Sequence, residues 1–134
     1  MQVEKIEKSE DEWRKILDPK VFHITREHGT EMAYTGEYNK YGENGIYRCI
    51  ACGTELFRSA VKYDSHTGWP SFWEPIAEQN IGFSIDRSFF AKRIEVHCAR
   101  CGSHLGHVFE DGPHPTGKRY CMNSLALQFV KSAK

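Results

Sequence analysis

Two stretches of the same form, Cys49-Ile50-Ala51-Cys52-Gly53 and Cys98-Ala99-Arg100-Cys101-Gly102, constrain this chain more than any other feature. Together they supply four thiolates, the ligand set of a closed structural zinc site. The two-residue gap lets both sulfurs of a pair reach one ion, and the glycine that follows permits the tight turn that aims backbone amides at sulfur. The pairs lie 46 positions apart, far more than the roughly 15–20 of a simple zinc ribbon. The two knuckles therefore belong to separate hairpins, and a shared ion would clamp distant parts of the fold. The alternatives are four free, partly buried thiols or one redox-active pair. A redox C-x-x-C normally comes singly, near a β-α-β unit, and neither condition holds here.

The pattern around the knuckles is of short apolar runs broken by Gly, Asn, Asp and Pro. Strands are predicted over Gly45–Arg48, Glu55–Phe57, Ile81–Asp86, Ala91–Cys98, His107–Glu110 and Tyr120–Val130. Such spacing argues an antiparallel β fold with short connections. Two short helices precede it. Ser9 caps the first over Glu10–Leu17, with Glu12 as capping-box partner and Trp13, Ile16 and Leu17 facing inward. Asp18 and Pro19 start the second, over Pro19–Glu27, with Val21, Phe22 and Thr25 or Arg26 on its inner side or rim. No linker or low-complexity segment interrupts the chain, which reads as one domain over 1–134 with a core of about 10–131.

Removing four ligands from five cysteines leaves Cys121. A lone thiol can be a small buried hydrophobe. Its neighbours argue otherwise, because strand alternation puts Arg119, Cys121, Asn123, Leu125, Leu127 and Phe129 on one face. The Leu and Phe end is core; the Arg-Cys-Asn end sets a cation and an amide beside sulfur, where the cation favours the nucleophilic thiolate. Two further clusters carry chemistry. His104 and His107 stand three apart around Gly106; an HxxH pair alone is weak evidence, and no H-E-x-x-H zinc motif accompanies it. Trp69 and Phe72 lie in the Gly/Pro-containing run Gly68-Trp69-Pro70-Ser71-Phe72. Trp69 suits a rigid platform for an apolar ligand group, whereas a loop Phe such as Phe72 more often packs on a core.

Taken together these residues resemble the methionine-R-sulfoxide reductases, in their zinc-containing form. The resemblance runs over most of the chain: Ile24-Thr25-Arg26, Gly29-Thr30-Glu31, Thr35-Gly36-Glu37-Tyr38, both knuckles, Gly68 to Phe72, His104 to Phe109, Asp111-Gly112-Pro113 and Arg119 to Ser124. Single pieces are unspecific; their order and joint presence are not. The resemblance implies a mainly β, β-tent-like fold of two antiparallel sheets with short N-terminal helices. It implies reduction of methionine-R-sulfoxide, free or in proteins, with thioredoxin as the usual reductant and one structural zinc per chain on Cys49, Cys52, Cys98 and Cys101. It makes Cys121 the attacking thiol and gives Trp69 the substrate's ε-methyl, with Phe72 beside it. His104, His107 and Asn123 line the site, and Arg119 lies near it.

One position departs from the pattern. Many members carry a resolving cysteine directly before the Gly-Trp-Pro-Ser-Phe run, and here Thr67 stands there, beside His66 where a small residue is common. With four cysteines assigned to zinc, no partner thiol remains for an intramolecular disulfide.

Two rival readings are a non-enzymatic zinc-knuckle module and a thiol peroxidase working through Cys121. The second leaves Trp69 without a role. The first, in its nucleic-acid form, conflicts with composition: 18 Lys plus Arg balance 18 Asp plus Glu, a formal net charge of zero. The opening residues lack an apolar stretch of signal-peptide length and no later run could span a bilayer. The expectation is therefore a cytoplasmic monomer that binds neither nucleic acid nor membrane.

Overall fold

A computed structural model describes residues 5–87 and 92–132. The start of the strand expected from Ala91 lies outside the described residues, as do positions 1–4 and 133–134 of the expected domain.

Helix α1 spans Glu10–Ile16 and α2 spans Pro19–Arg26. Both begin where the sequence supplies caps. The Ser9 hydroxyl accepts from the Glu12 amide at 3.2 Å while the Glu12 carboxylate accepts from the Ser9 amide at 2.9 Å. The Asp18 carboxylate accepts from the Lys20 amide at 2.9 Å, and Pro19 takes the first helical position. Trp13 is buried beneath the Arg26 guanidinium, 5.0 Å from its ring. Ile16, expected to face inward, is 60 % exposed. Helix α1 is only two turns long and packs chiefly against α2, so its buried stripe narrows to Trp13, with Leu17 at the edge of the core. In α2 the inner face is Phe22, Ile24 and Thr25; Val21 is only partly buried.

Among the described residues nine strands follow: β1 Gly45–Cys49, β2 Glu55–Arg58, β3 Lys62–Tyr63, β4 Ser71–Phe72, β5 Ile81–Asp86, β6 Arg93–Cys98, β7 His104–Phe109, β8 Arg119–Met122 and β9 Leu127–Lys131. They form two antiparallel sheets, ordered β2-β1-β9 and β3-β4-β8-β7-β6-β5. The first knuckle is the β1–β2 turn of the smaller sheet, and the second is the β6–β7 turn of the larger. Between the sheets lies an aromatic core: Phe57 stacks on Phe72 with centroids 4.4 Å apart, and Tyr47 meets Phe72 edge-on at 5.1 Å.

The two-residue strands β3 and β4 were not foreseen, being too short to show a period. The single strand expected over Tyr120–Val130 is two strands in different sheets, joined by a 3-10 turn at Ser124–Ala126. The polar side chains at the junction cause the break. Asn123 and Ser124 are buried and bond to backbone elsewhere, so the chain turns from one sheet into the other instead of continuing. The common face expected from Arg119 to Phe129 therefore ends at this junction.

Strand β7 begins three residues earlier than expected, and its start contains an irregularity. Val96 opposes Gly106, but His97 opposes His104 rather than Leu105, so β7 carries one extra residue. That bulge reverses side-chain parity within the strand.

Candidate active site

Directly opposed residues of neighbouring strands share a face of the sheet. In the larger sheet the register sets Tyr63 opposite Ser71, Ser71 opposite Cys121, Cys121 opposite His107, His107 opposite Glu95, and Glu95 opposite Ser84. A row of polar side chains thus crosses all six strands, with Cys121 near its middle. Two residues along, the same face carries Arg119, Phe109, Arg93 and Asp86. Over this face opens a cleft of about 250 Å³ lined by Thr30, Thr67, Trp69, Arg93, Gly106, His107, Phe109, Arg119, Cys121 and Asn123.

Gly106 forms part of the floor because nothing larger fits: a Cβ there would lie 2.1 Å from the Cys121 carbonyl oxygen and 2.9 Å from the Met122 Cα. Close approach of β7 to β8 here keeps Cys121 and His107 at directly opposed positions on the cleft face.

Burial pushes the Cys121 thiol above its ordinary range; Arg119 and the hydroxyls of Thr67 and Ser71 draw it back down without overcoming that effect. The neighbouring cation does favour the thiolate, as expected from the sequence, but burial, which the sequence does not show, outweighs it. Part of Arg119 is already engaged. Its Nε and a terminal nitrogen donate to both oxygens of Asp111, at 2.9 and 3.2 Å, and its guanidinium lies 4.3 Å from the Phe109 centroid.

The two imidazoles three apart on a strand would face opposite sides were β7 regular. The bulge brings both to the cleft side, with ring centroids 5.4 Å apart. Their settings differ. His107 reaches the cleft, and its Nε2 pairs with Asp86 at 2.8 Å; burial lowers it below the usual histidine range despite the carboxylate. His104 is 2 % exposed and does not line the cleft. Its Nδ1 lies 2.6 Å from the Glu95 carboxylate. Burial works to raise Glu95, yet the hydrogen bond from His104 and the imidazoles around it hold it below the usual carboxylate range.

Asn123 lines the cleft, but its amide is committed to backbone: Oδ1 accepts from Glu31 at 3.0 Å and Nδ2 donates to Leu105 at 3.2 Å. It holds the 28–34 segment against β7. Trp69 is anchored by an Nε1 donation to the Glu31 carbonyl at 3.0 Å, leaving its ring to wall the cleft. Phe72, assigned to the substrate by resemblance, is not in the cleft. Ser71 shares the face of Cys121, so alternation along β4 turns Phe72 into the core between the sheets, where it is fully buried.

Thr67 lies where the missing resolving cysteine would be, its hydroxyl 3.9 Å from Cys121 Sγ. It heads a hydroxyl chain: Thr67 to Ser65 at 2.8 Å and Ser65 to Ser71 at 2.7 Å.

The four remaining cysteines come together. Every pair of their sulfurs lies within 4.8 Å, with Cys49 3.6 Å from Cys101 and Cys52 3.5 Å from Cys98. Tetrahedral ligation at the usual Zn–S length needs sulfurs about 3.8 Å apart, so the donor set fits zinc. Gly53 and Gly102, at φ 81° and 78°, close the two knuckles by donating to the carbonyls of Cys49 and Cys98. The hydroxyls of Thr54 and Ser103 lie 3.0 and 3.1 Å from the Cys52 and Cys101 sulfurs. Hydrogen bonding among the crowded sulfurs, chiefly with Cys101, pushes Cys49 up and Cys52 down, and a cation among them would let all four ionise.

Sequence reasoning missed Glu95, Asp86 and Asp111, the carboxylates that hold His104, His107 and Arg119. A signal existed for the first. In Arg93-Ile94-Glu95-Val96-His97, alternation puts three polar residues on one face of a strand whose other face is apolar, the mark of a polar cavity.

Residues 17–131 match the SelR domain family. The chain is 57 % identical over 129 residues to the "Peptide methionine sulfoxide reductase MsrB" of Methanosarcina mazei, covering 95 % of this chain and 91 % of that protein. It is 51 % identical over 122 residues to the mouse "Methionine-R-sulfoxide reductase B3, mitochondrial", covering 91 % of this chain and 48 % of that protein. With the Arabidopsis thaliana "Peptide methionine sulfoxide reductase B1, chloroplastic" it shares 54 % over 121 residues, 90 % of this chain and 59 % of that protein. Agreement of this extent, over a stretch that includes the whole polar row from Tyr63 to Cys121, means that the chain belongs to the SelR domain family.

Proposed function

We propose that this protein reduces methionine-R-sulfoxide, free or in proteins, to methionine, with Cys121 as the attacking thiol. The observation that carries the reading is the joint placement of Cys121, His107 and Trp69 around one cleft. An apolar wall beside a thiol and an imidazole suits a methyl sulfoxide, whose methyl is apolar and whose oxygen must leave as an acceptor of protons.

The chemistry follows from those positions. Asp86 accepts from His107 Nε2, which leaves the other ring nitrogen of a neutral imidazole free to take a proton. His107 removes the Cys121 proton as sulfur attacks the sulfoxide sulfur. The S–O bond breaks as the oxygen passes to Cys121, and the same proton ends on that oxygen. Methionine leaves, and Cys121 becomes a sulfenic acid, the first reversible step of cysteine oxidation. Arg119 steadies negative charge at sulfur during attack. His104, held by Glu95 behind His107, and Asn123, clamped between backbones, fix the geometry.

No thiol stands at position 67, and attack by a knuckle sulfur would disrupt a metal site that contributes roughly 10–16 kcal/mol. An external thiol, thioredoxin-like or small, therefore attacks the sulfenic sulfur and releases water. A second thiol then restores Cys121 and leaves as a disulfide. Cys49, Cys52, Cys98 and Cys101 would hold one zinc, which ties the two sheets together and takes no part in the reaction. The reading extends to a monomeric catalytic unit of about residues 10–131 acting in the cytoplasm; among the described residues no helix is long and apolar enough to cross a membrane.

The test is incubation with dithiothreitol and each methionine sulfoxide epimer. Methionine should form from the R epimer, and Cys121→Ser should abolish it with zinc content unchanged. Turnover retained in that variant refutes the assignment.

A further inference from the structure

The knuckles are not the only group of metal-binding side chains. His28, Glu95 and His104 converge so that one ligand atom of each lies within 4.8 Å of the others. His28 Nε2 is 3.1 Å from Glu95 Oε2, and His104 Nδ1 is 2.6 Å from the same oxygen. The two imidazole centroids are 5.2 Å apart, so the rings flank the carboxylate without stacking on each other. His28 sits at φ 55°, just beyond α2, an unusual backbone for a residue other than glycine. From there its ring reaches over Glu95.

We propose that His28, Glu95 and His104 form an exchangeable site for a divalent transition-metal ion, and that its occupation inhibits the enzyme. Two imidazole nitrogens and one carboxylate oxygen suit zinc, cobalt, nickel or copper, not calcium or magnesium, which take oxygen ligands. Three protein ligands leave positions for water, and the cluster borders a cavity of about 520 Å³ that His28, Glu95 and His107 help to line. His28 is 68 % exposed at its side chain, so an ion enters from solvent. Only small movements are needed. At ligand distances of about 2.1 Å neighbouring donor atoms lie about 3.0–3.4 Å apart, so the His28–Glu95 pair already fits and His104 must withdraw slightly from Glu95.

That withdrawal is what inhibits. To ligate through Nδ1, His104 gives up the proton it shares with Glu95, which moves to the other ring nitrogen or to solvent. The ring that packs against His107 is then set by the metal instead of by Glu95. The inhibition rests on the role proposed above for the two imidazoles; the binding does not.

The experiment begins with protein whose cysteine site is filled with zinc, titrated with cobalt(II). Wild type should take up one further ion whose spectrum lacks the near-ultraviolet sulfur-to-cobalt charge-transfer band, with loss of the His28 and His104 ring signals in proton NMR. Turnover of methionine-R-sulfoxide should fall about tenfold at saturation and return when the ion is withdrawn by a mild chelator. The control is His28→Asn, since Asn tolerates the left-handed backbone and its amide is a poor ligand. It should turn over as wild type without cobalt, bind the ion at least about tenfold more weakly and resist inhibition. Absence of a second ion, or equal binding by His28→Asn, overturns the site. Binding without inhibition overturns the regulatory half. Should neither protein reduce the sulfoxide even without cobalt, the proposed activity fails while the titration still decides the site.

Discussion

Phe72 offers the sharpest separation between a residue that touches substrate and one that holds the fold. Its ring is fully buried, stacked on Phe57 at 4.4 Å and edge-on to Tyr47 at 5.1 Å. Truncating a ring so enclosed costs about 3–5 kcal/mol, because the surrounding aromatics collapse only partly into the cavity. A chain of 134 residues has an unfolding entropy of about 0.28 kcal/mol per kelvin near its midpoint. Phe72→Ala should therefore lower the melting temperature by roughly 11–18 °C. The milder Phe72→Leu, which keeps most of the volume, should cost about 1 kcal/mol. Well below both midpoints, KM for methionine-R-sulfoxide should equal that of wild type in either variant, since the ring faces away from the cleft. Scanning calorimetry and steady-state kinetics on the same preparations make the comparison. A KM raised about tenfold with a melting temperature near wild type would refute the placement of Phe72 in the core, because lost binding of about 1.4 kcal/mol would then have no structural counterpart.

Thr67→Cys should give Cys121 a resolving partner, so that one turnover without reductant yields a disulfide, whereas wild type shows an added oxygen or a dimedone adduct on Cys121. Mass spectrometry distinguishes them; a disulfide from Cys121 to a knuckle cysteine in wild type would make that knuckle a redox participant. Metal analysis should find about one zinc per chain, and Cys98→Ser should lose it and melt at lower temperature. The pH dependence of Cys121 alkylation by iodoacetamide should inflect above the 9.0 of an unperturbed thiol, because burial outweighs Arg119. Arg119→Met should move the inflection higher still, since removing the cation disfavours the thiolate, and a downward move would contradict the balance of forces. The raised thiol also sets a stability trend. The unfolded chain releases this proton first, so stability should decline as pH climbs from about 9 through the folded value, an effect absent in Cys121→Ser.

Much of this was legible in the chain itself. The helix caps at Ser9 and Asp18 and the strands around each knuckle follow from local rules whose range is a few residues, whereas only the family resemblance joined Cys121, His107 and Trp69 in one site. What escaped needs pairing across strands. The two-residue strands β3 and β4 have no period of their own; β4 exists through its pairing with β8, and β3 through β4. The turn at Ser124–Ala126 depends on Glu31, 94 positions away, whose carboxylate receives the Leu125 amide. The bulge at Leu105 appears only once β6 is set beside β7, so the sequence did not show that His104 and His107 share a face. Phe72 was misassigned because the parity of a strand too short to recognise decides its face. The sign of the Cys121 shift depends on burial, which no local pattern records.

The union of the two knuckles bears on how quickly the chain finds its fold. Strand β1 must pair with β9, and Cys49 meets Leu127 only after about 80 residues of intervening chain have been ordered into a loop. Were Cys49 linked through a metal to Cys101, the free path to Leu127 would shrink to about 26 residues, and loop closure would become easier by about 1 kcal/mol. A chain that captures its ion early should therefore complete the smaller sheet about fivefold faster than one that captures it last. With a metal bound, the four sulfurs, remote from Cys121, would bear on the speed of the chain's assembly as much as on its endurance.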